Sequence, residues 1–216
     1  MKNKMKIITG ADSYRYGAHT NHQRYAEAQG IDYEFHKSEN LPNPYFTKCY
    51  AVLDSFDKGY EYVLWIDDDA FFINPKWDCT SVFKMYKEDV IVVKGRAKKN
   101  GTTLFNNGIM FIRNTENMRD LFTSIPETPW KYLTKNWKAE YGPLTGNDQP
   151  RMICITQERY PQSVKILDYP NFNAHEIEFH KSKDFIKSNP PIVHITGQNK
   201  ESKISRFIQN TGIQLP

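Results

Sequence analysis

The sequence predicts an α/β protein whose central sheet is mostly parallel and flanked by helices, and three observations carry that expectation. Apolar strand-like runs alternate with helix-like segments through the first half of the 216-residue chain, at the spacing of βαβ units. Two of those runs end in polar residues, Thr9-Gly10-Ala11-Asp12 and Asp67-Asp68-Asp69, and an open parallel sheet binds its ligands beyond the carboxyl ends of its strands. A hydrophobic content of 39%, with 14% aromatic, suffices for one substantial core, so a single domain over residues 1–216 is expected.

Lys6-Ile7-Ile8-Thr9 reads as the first strand, after which Gly10 opens a polar segment holding Asp12, Ser13 and Tyr14. A helix from about Asn21 to Gln29 follows and is closed by Gly30, a residue that tolerates the left-handed C-terminal cap. Tyr33-Glu34-Phe35-His36 is a second strand, Phe46 to Asp57 a helix ended by Gly59, and Tyr62 to Ile66 a third strand. Val90-Ile91-Val92-Val93 and Gly108-Ile109-Met110-Phe111-Ile112 extend the sheet. Between Ile125 and Asp148 the chain is rich in Pro, Gly, Trp and Tyr with little periodicity, which predicts a long ordered loop. Ile192-Val193 is a last short strand that leads into His194.

Charge and cysteines narrow the function classes. The net charge is +4 with no long block of one sign, so the basic arm of a nucleic-acid binder is missing, and a mild positive bias suits a phosphorylated small molecule. The basic start, Met1 to Lys6, is followed by only Ile7-Ile8, too short an apolar run for a signal peptide or a membrane span. A soluble, cytoplasmic protein is expected. The three cysteines, Cys49, Cys79 and Cys154, are scattered without metal-ligand spacing, which points to core packing in a reducing compartment.

The most informative stretch is Tyr62 to Ile73, an apolar run interrupted by Asp67-Asp68-Asp69. Neighbouring anions at the end of a buried strand repel one another and lose hydration, so they call for a cation. In an extended chain side chains alternate, which puts Asp67 and Asp69 on one face and Asp68 on the other. Two hard oxygen ligands suit Mn2+ or Mg2+ with room left for phosphate oxygens. The plain alternative is a set of acids collected at a helix N-terminus. Further on, His194, Gly197 and Lys200 are spaced three apart after a short strand. The imidazole can complete a metal site, the glycine admits a phosphate, and the lysine supplies a point charge. The alternative for His194 is a hydrogen-bonded core histidine.

Taken together, Thr9-Gly10, Asn21-His22 to Tyr25 with Gly30, Lys48, Trp65 to Ala70, Asn106-Asn107-Gly108 with Phe111-Ile112-Arg113-Asn114, Asp148-Gln149 and His194-x-x-Gly197-x-x-Lys200 resemble the galactosyl- and xylosyltransferase family of the GMA12/MNN10 type. The last motif is also similar to that of glycogenin-like enzymes. The resemblance spans nearly the whole chain and implies a single GT-A (Rossmann-like) domain, with about 1–95 as the nucleotide-binding half and about 96–216 as the acceptor-binding half. It implies a retaining, metal-dependent transferase that moves a hexose from a UDP-sugar, UDP-glucose or UDP-galactose first, to a glycan or other hydroxyl acceptor. Asp67, Asp69 and His194 would be the ligands of Mn2+ or Mg2+. Gly197 and Lys200 would hold the diphosphate, with Lys48 as a second cation; an exposed helix lysine is the alternative for Lys48. Thr9, Gly10, Ala11, Asp12 and Tyr14, together with Asp68, would lie near the nucleotide. Asn106 and Asn107 would approach the donor sugar, unless Asn107-Gly108 is a hairpin turn. Asp148 and Gln149 would face the reacting sugar, unless Asp148 only caps the following helix. Trp130, Tyr132, Trp137 and Tyr141 could stack on an acceptor or pin their loop to the core.

The chain departs from the pattern in two places. Asp68 stands where these families more often carry Ser or Ala, and Glu201-Ser202 follows the lysine where glycogenin-like enzymes show Pro-Trp. Family members commonly carry an anchor for the Golgi lumen, which makes a piece of a longer multidomain protein the alternative to a soluble homologue. Rival readings of the same residues are a metal-dependent phosphohydrolase or nuclease, a nucleotide-sugar binding protein without turnover, and a sugar nucleotidyltransferase.

Overall fold

Two sheets of unequal size meet at the acidic turn. The computed structural model describes residues 1–39, 41, 43–97, 101–144, 148–181, 185 and 190–212. In the larger sheet β1 (Met5–Ala11) lies between β2 (Asp32–Lys37) and β3 (Tyr62–Ile66) and is parallel to both. Helices α1 (Ala18–Gln29) and α2 (Thr47–Asp57) make the crossovers, as the alternation of patterns predicts. α1 begins at Ala18 rather than near Asn21, after Gly17 takes a left-handed φ of 71°.

Beyond β3 lie β6 (Asn106–Arg113), β5 (Val90–Val93) and β7 (Val164–Leu167), in that spatial order. β6 runs antiparallel to both its neighbours and β5 is parallel to β7, so three of the five pairings are parallel. Both faces of this sheet are covered. Ile8, Val63, Trp65, Val92, Met110 and Ile112 face one core with α2 and helix α4 (Glu116–Glu127); Ile7, Leu64, Ile66, Val93, Ile109 and Phe111 face another. That two-sided burial explains why these strands read as unbroken apolar runs.

The smaller sheet sets β9 (Ile192–His194) between β4 (Ala70–Phe72) and β8 (Ala174–His175). Helix α1 fastens it. Asn21 bonds both backbone groups of Phe72, at 2.9 and 2.7 Å; His22 Nε2 donates to the Ala70 carbonyl at 2.7 Å; and Tyr25 stacks on Phe72 with ring centroids 3.6 Å apart. The Asn21-His22 to Tyr25 motif is thus a clamp on the strand that follows the acids.

The loop expected from Ile125 to Asp148 is instead largely helical where described: α4 runs on to Glu127, α5 spans Trp130–Asn136, and a 3-10 turn spans Ala139–Tyr141. Pro126 falls in the last turn of α4 and Pro129 stands just ahead of α5, so the prolines punctuate helices rather than prevent them. Met118, Leu121, Phe122 and Ile125 bury one face of α4 at helical spacing. Further helices are α3 (Ser81–Met85), α6 (Asp148–Arg159), α7 (Glu176–Lys181) and α8 (Lys200–Thr211). Among the described residues no helix is long and apolar enough to cross a membrane.

Candidate active site

The three acids do not continue an extended strand, as simple alternation predicts. They form the turn between β3 in the larger sheet and β4 in the smaller, closed by the Ala70 amide donating to the Asp67 carbonyl at 3.1 Å. Each end of the turn is held by a neighbour. The Asp67 amide donates to the Gly108 carbonyl of β6 at 2.8 Å, and the Ile195 amide to the Asp69 carbonyl at 2.8 Å. The β4–β9 register pairs Ala70 with His194, which delivers the histidine to the acids from a distant part of the chain.

Ligand atoms of Asp67, Asp69 and His194 all lie within 4.8 Å of one another. Two carboxylates and an imidazole form a donor set that fits Mn2+ or Mg2+, so these side chains could hold such an ion. His194 Nε2 sits 3.0 Å from Asp69 Oδ1, and Lys200 Nζ 2.6 Å from Asp69 Oδ2. The carboxyl groups differ accordingly. Burial and the nearby Asp69 charge raise Asp67, against Lys48. Burial works to raise Asp69 too, but His194 and Lys200 overcome it and hold Asp69 well below the usual carboxylate range. Burial, then the Asp69 charge, pushes Asp68 up to about 6 despite Arg15, whose Nη2 lies 2.9 Å from Asp68 Oδ2.

The histidine is oriented through a chain of hydrogen bonds that starts at an unambiguous donor. The Gly108 amide donates to Asn106 Oδ1 at 2.9 Å, so Asn173 Nδ2, also 2.9 Å from that oxygen, must donate as well. Asn173 Oδ1 is then left to accept from His194 Nδ1 at 2.9 Å, which turns Nε2 toward the acids. Gly108 also makes room: a β-carbon there would lie 2.4 Å from His194 Cε1 and 2.8 Å from Asp67 Oδ2. Asn106-Asn107-Gly108 is therefore the start of β6, not a hairpin turn.

Below this cluster Lys48 is buried, not an exposed helix lysine. Its Nζ lies 2.9 Å from Asp148 Oδ2 and 3.6 Å from Asp67 Oδ1, and donates to the Asn107 carbonyl at 3.1 Å. Burial works to lower its pKa, but the two carboxylates keep it above the ordinary lysine value. Asp148 Oδ2 also accepts from Asn107 Nδ2 at 2.7 Å, and Gln149 Oε1 accepts from the Asn107 amide at 3.3 Å. Trp65 Nε1 donates to Asp67 Oδ1 at 2.7 Å.

Other sequence-predicted residues fall less centrally. Thr9 is fully buried with its hydroxyl 2.6 Å from His22 Nδ1, so its side chain is not open to a ligand, and Gly10 is packed against Thr47 and Trp65. Ala11 is buried at the end of β1, while Asp12 and Tyr14 are exposed beyond it, with the Tyr14 ring against Phe35 and His19. Gly197 has a φ of 87° just ahead of Lys200. Trp137 and Tyr141 pack edge to face with Tyr141 buried, which pins the segment to the core, and Trp130 is exposed. Asn173 and Arg15 lie outside the residues that the sequence points to. Asn173 lies in an aperiodic Pro170-Asn171-Phe172-Asn173 stretch with no pattern to single it out.

A second group, Glu34, His36 and Asp54, has metal-ligand spacing, but Lys58 and Lys6 already meet its acids. A cavity of about 350 Å³ opens beside the Asp67-Asp69-His194 cluster, with His194, Asn106, Asn173 and Gln149 in its wall.

No curated protein matches this chain in sequence. In structure it is similar to a glycosyltransferase involved in the glycosylation of the major capsid of PBCV-1, with a TM-score of 0.68 and 16% identity over 95% of this chain and 98% of that one. It is also similar to the glycosyltransferase GlyE of Streptococcus pneumoniae TIGR4 (0.55, 13% identity, 97% of this chain), of which it spans 60%. Mouse xyloside xylosyltransferase 1 gives a TM-score of 0.52 and 11% identity over 91% of this chain and 98% of that one. These likenesses are of fold, and the fold is the GT-A-like α/β sheet expected from the sequence. A sequence profile of the nucleotide-diphospho-sugar transferases matches residues 16–207, and the chain belongs to that family.

Proposed function

We propose that the chain is a metal-dependent, retaining glycosyltransferase of the GMA12/MNN10 type that moves a hexose from a UDP-sugar to a hydroxyl acceptor. The observation that carries this reading is the convergence of Asp67, Asp69 and His194 from two sheets at the carboxyl end of β3, with Lys200 2.6 Å from Asp69. A divalent ion held by those three side chains would offset the negative charge that grows on the leaving diphosphate. Lys200 supplies a further charge for the same oxygens, and Gly197, lacking a side chain, lets the backbone approach them.

Retention demands either a protein nucleophile or attack on the face that the diphosphate leaves. Asp148 is bound by Lys48 and Asn107, which quenches it as a nucleophile and supports same-face attack, with a donor phosphate oxygen taking the acceptor's proton. Asp148 then positions Asn107, and Gln149, its carbonyl oxygen held by the Asn107 amide, keeps its NH2 group for a sugar hydroxyl.

The test is calorimetric titration with UDP and GDP, each with and without Mn2+, on the wild type and Asp69→Ala. UDP binding that requires Mn2+ and vanishes in the variant is the expected result. Binding indifferent to both metal and Asp69, or binding of neither nucleotide, overturns the reading.

A further inference from the structure

The cavity beside the Asp67-Asp69-His194 cluster carries two cations that a neutral sugar does not call for. Pockets for neutral sugars need acceptors for hydroxyl protons as well as donors, and carboxylates commonly supply them. Among the described residues that line this one there is no Asp or Glu, whereas two cations, Lys94 and Arg96, contribute. Thr103 and Tyr169 add hydroxyls.

The cationic wall is built rather than incidental. The Lys94 amide donates to the Leu167 carbonyl at 2.9 Å and the Gly95 amide to the Thr103 carbonyl at 3.1 Å, which fixes the backbone leading into Arg96. Gly95 is pressed so closely that a β-carbon would lie 2.1 Å from Thr103 Oγ1. Arg96 is thereby aimed from a fixed point, yet its Nε is buried without a hydrogen-bond partner. A buried guanidinium N–H left unpaired in a cavity wall calls for an acceptor brought by a ligand. On the proposed reading the diphosphate is held at Gly197 and Lys200, and neither of these lines the cavity.

We infer that this cavity binds the carboxylate of an acidic sugar, with Arg96 as its principal partner and Lys94 as a supporting charge. The inference rests on the glycosyltransferase reading and narrows it to a hexuronate, carried either by the donor or by the acceptor. Calorimetry on the full chain with Mn2+ separates these sources. One arm compares UDP-glucuronate with UDP-glucose; the other, with UDP present, compares a glucuronate-terminated disaccharide with its glucose-terminated counterpart. One acidic probe should bind about tenfold or more tightly than its neutral partner, and the arm that shows the preference identifies the source. In Arg96→Gln the affinity ratio should fall toward one, in Arg96→Lys most of it should persist, and Lys94→Gln should reduce it by a smaller factor. Equal binding of acidic and neutral probes in both arms overturns the inference while leaving UDP binding, and so the transferase reading, intact. A preference that survives both Arg96→Gln and Lys94→Gln overturns it as well. Failure of UDP itself to bind removes the reading and the inference together.

Discussion

Two lysines meet carboxylates a short distance apart in this protein, and they do so in opposite settings. Lys48, on the floor of the site, is buried and shared among Asp148, Asp67 and the Asn107 carbonyl. Lys200, at the mouth, is partly exposed, and among the described residues the one carboxylate within ion-pair distance is Asp69. A cation closed in by several acceptors is committed to the architecture, whereas one with a single partner at an entrance can exchange it for a ligand. The two positions therefore predict different failures. Lys48→Met leaves the half-buried Asp148 without its counter-charge and should cost about 3 kcal/mol of stability, a fall on the order of 10 °C in melting temperature, read by calorimetric unfolding. An unchanged melting point would mean that the floor is not the closed cluster described above.

Two histidines repeat the contrast. His22 is fully buried between the Thr9 hydroxyl and the Ala70 carbonyl, and burial lowers it from 6.5 to about 4. His194 is equally enclosed, yet the Asp69 carboxylate overcomes burial and raises it. For His22 the neutral ring is the folded form, so between pH 6.5 and about 4 the unfolded chain binds the extra proton. Its contribution is complete above pH 6.5 and is lost as the pH falls toward 4, on the order of 3 kcal/mol in all. Denaturant titrations of the wild type and His22→Gln across that range should converge at the acid end; parallel curves would sink the assignment.

A smaller loss is expected where the proposed metal ligands are only positioned. Asn173→Ala removes the acceptor from His194 Nδ1, and Gly108→Ala pushes a methyl group against His194 and Asp67. Each should weaken Mn2+ binding about 10- to 100-fold in calorimetric titration while circular dichroism retains the wild-type spectrum. Full Mn2+ affinity in both would show that the ion does not use His194 as oriented here.

Parts of the molecule differed in how openly the sequence declared them. The parallel half was legible because β1 and β3 are buried on both faces and its helices are bounded by Gly30 and Gly59, signals that are local. The acids and His194 were legible by residue type, since charge at the end of an apolar run has few uses. Their meeting was only partly so. Alternation along a strand would bring Asp67 and Asp69 together, but a turn between two sheets does it instead, and the β4–β9 register that adds His194 is a long-range pairing. Asn173 and Arg96 carry no periodicity, cap or motif; their roles arise only once distant segments are packed. The stretch from Ile125 is helical against its composition because its prolines mark helix ends and its helices are short.

The finest test of the contrast between floor and mouth lies in Lys200→Met. Lys200 is partly exposed and among the described residues bridges Asp69 alone, so its loss should move stability by less than about 1 kcal/mol, against several for Lys48. Its effect should appear in binding, and with opposite signs for metal and nucleotide. Without nucleotide, Lys200 competes with a cation for Asp69, so Lys200→Met should bind Mn2+ several-fold more tightly. With UDP present the lost charge should weaken nucleotide binding by about tenfold, because a charge-assisted contact to phosphate is removed. Paired titrations of Mn2+ alone and of UDP at saturating Mn2+ read the two effects separately. If both affinities fell together, Lys200 would be part of the fixed scaffold like Lys48, and the mouth would differ from the floor in exposure but not in kind.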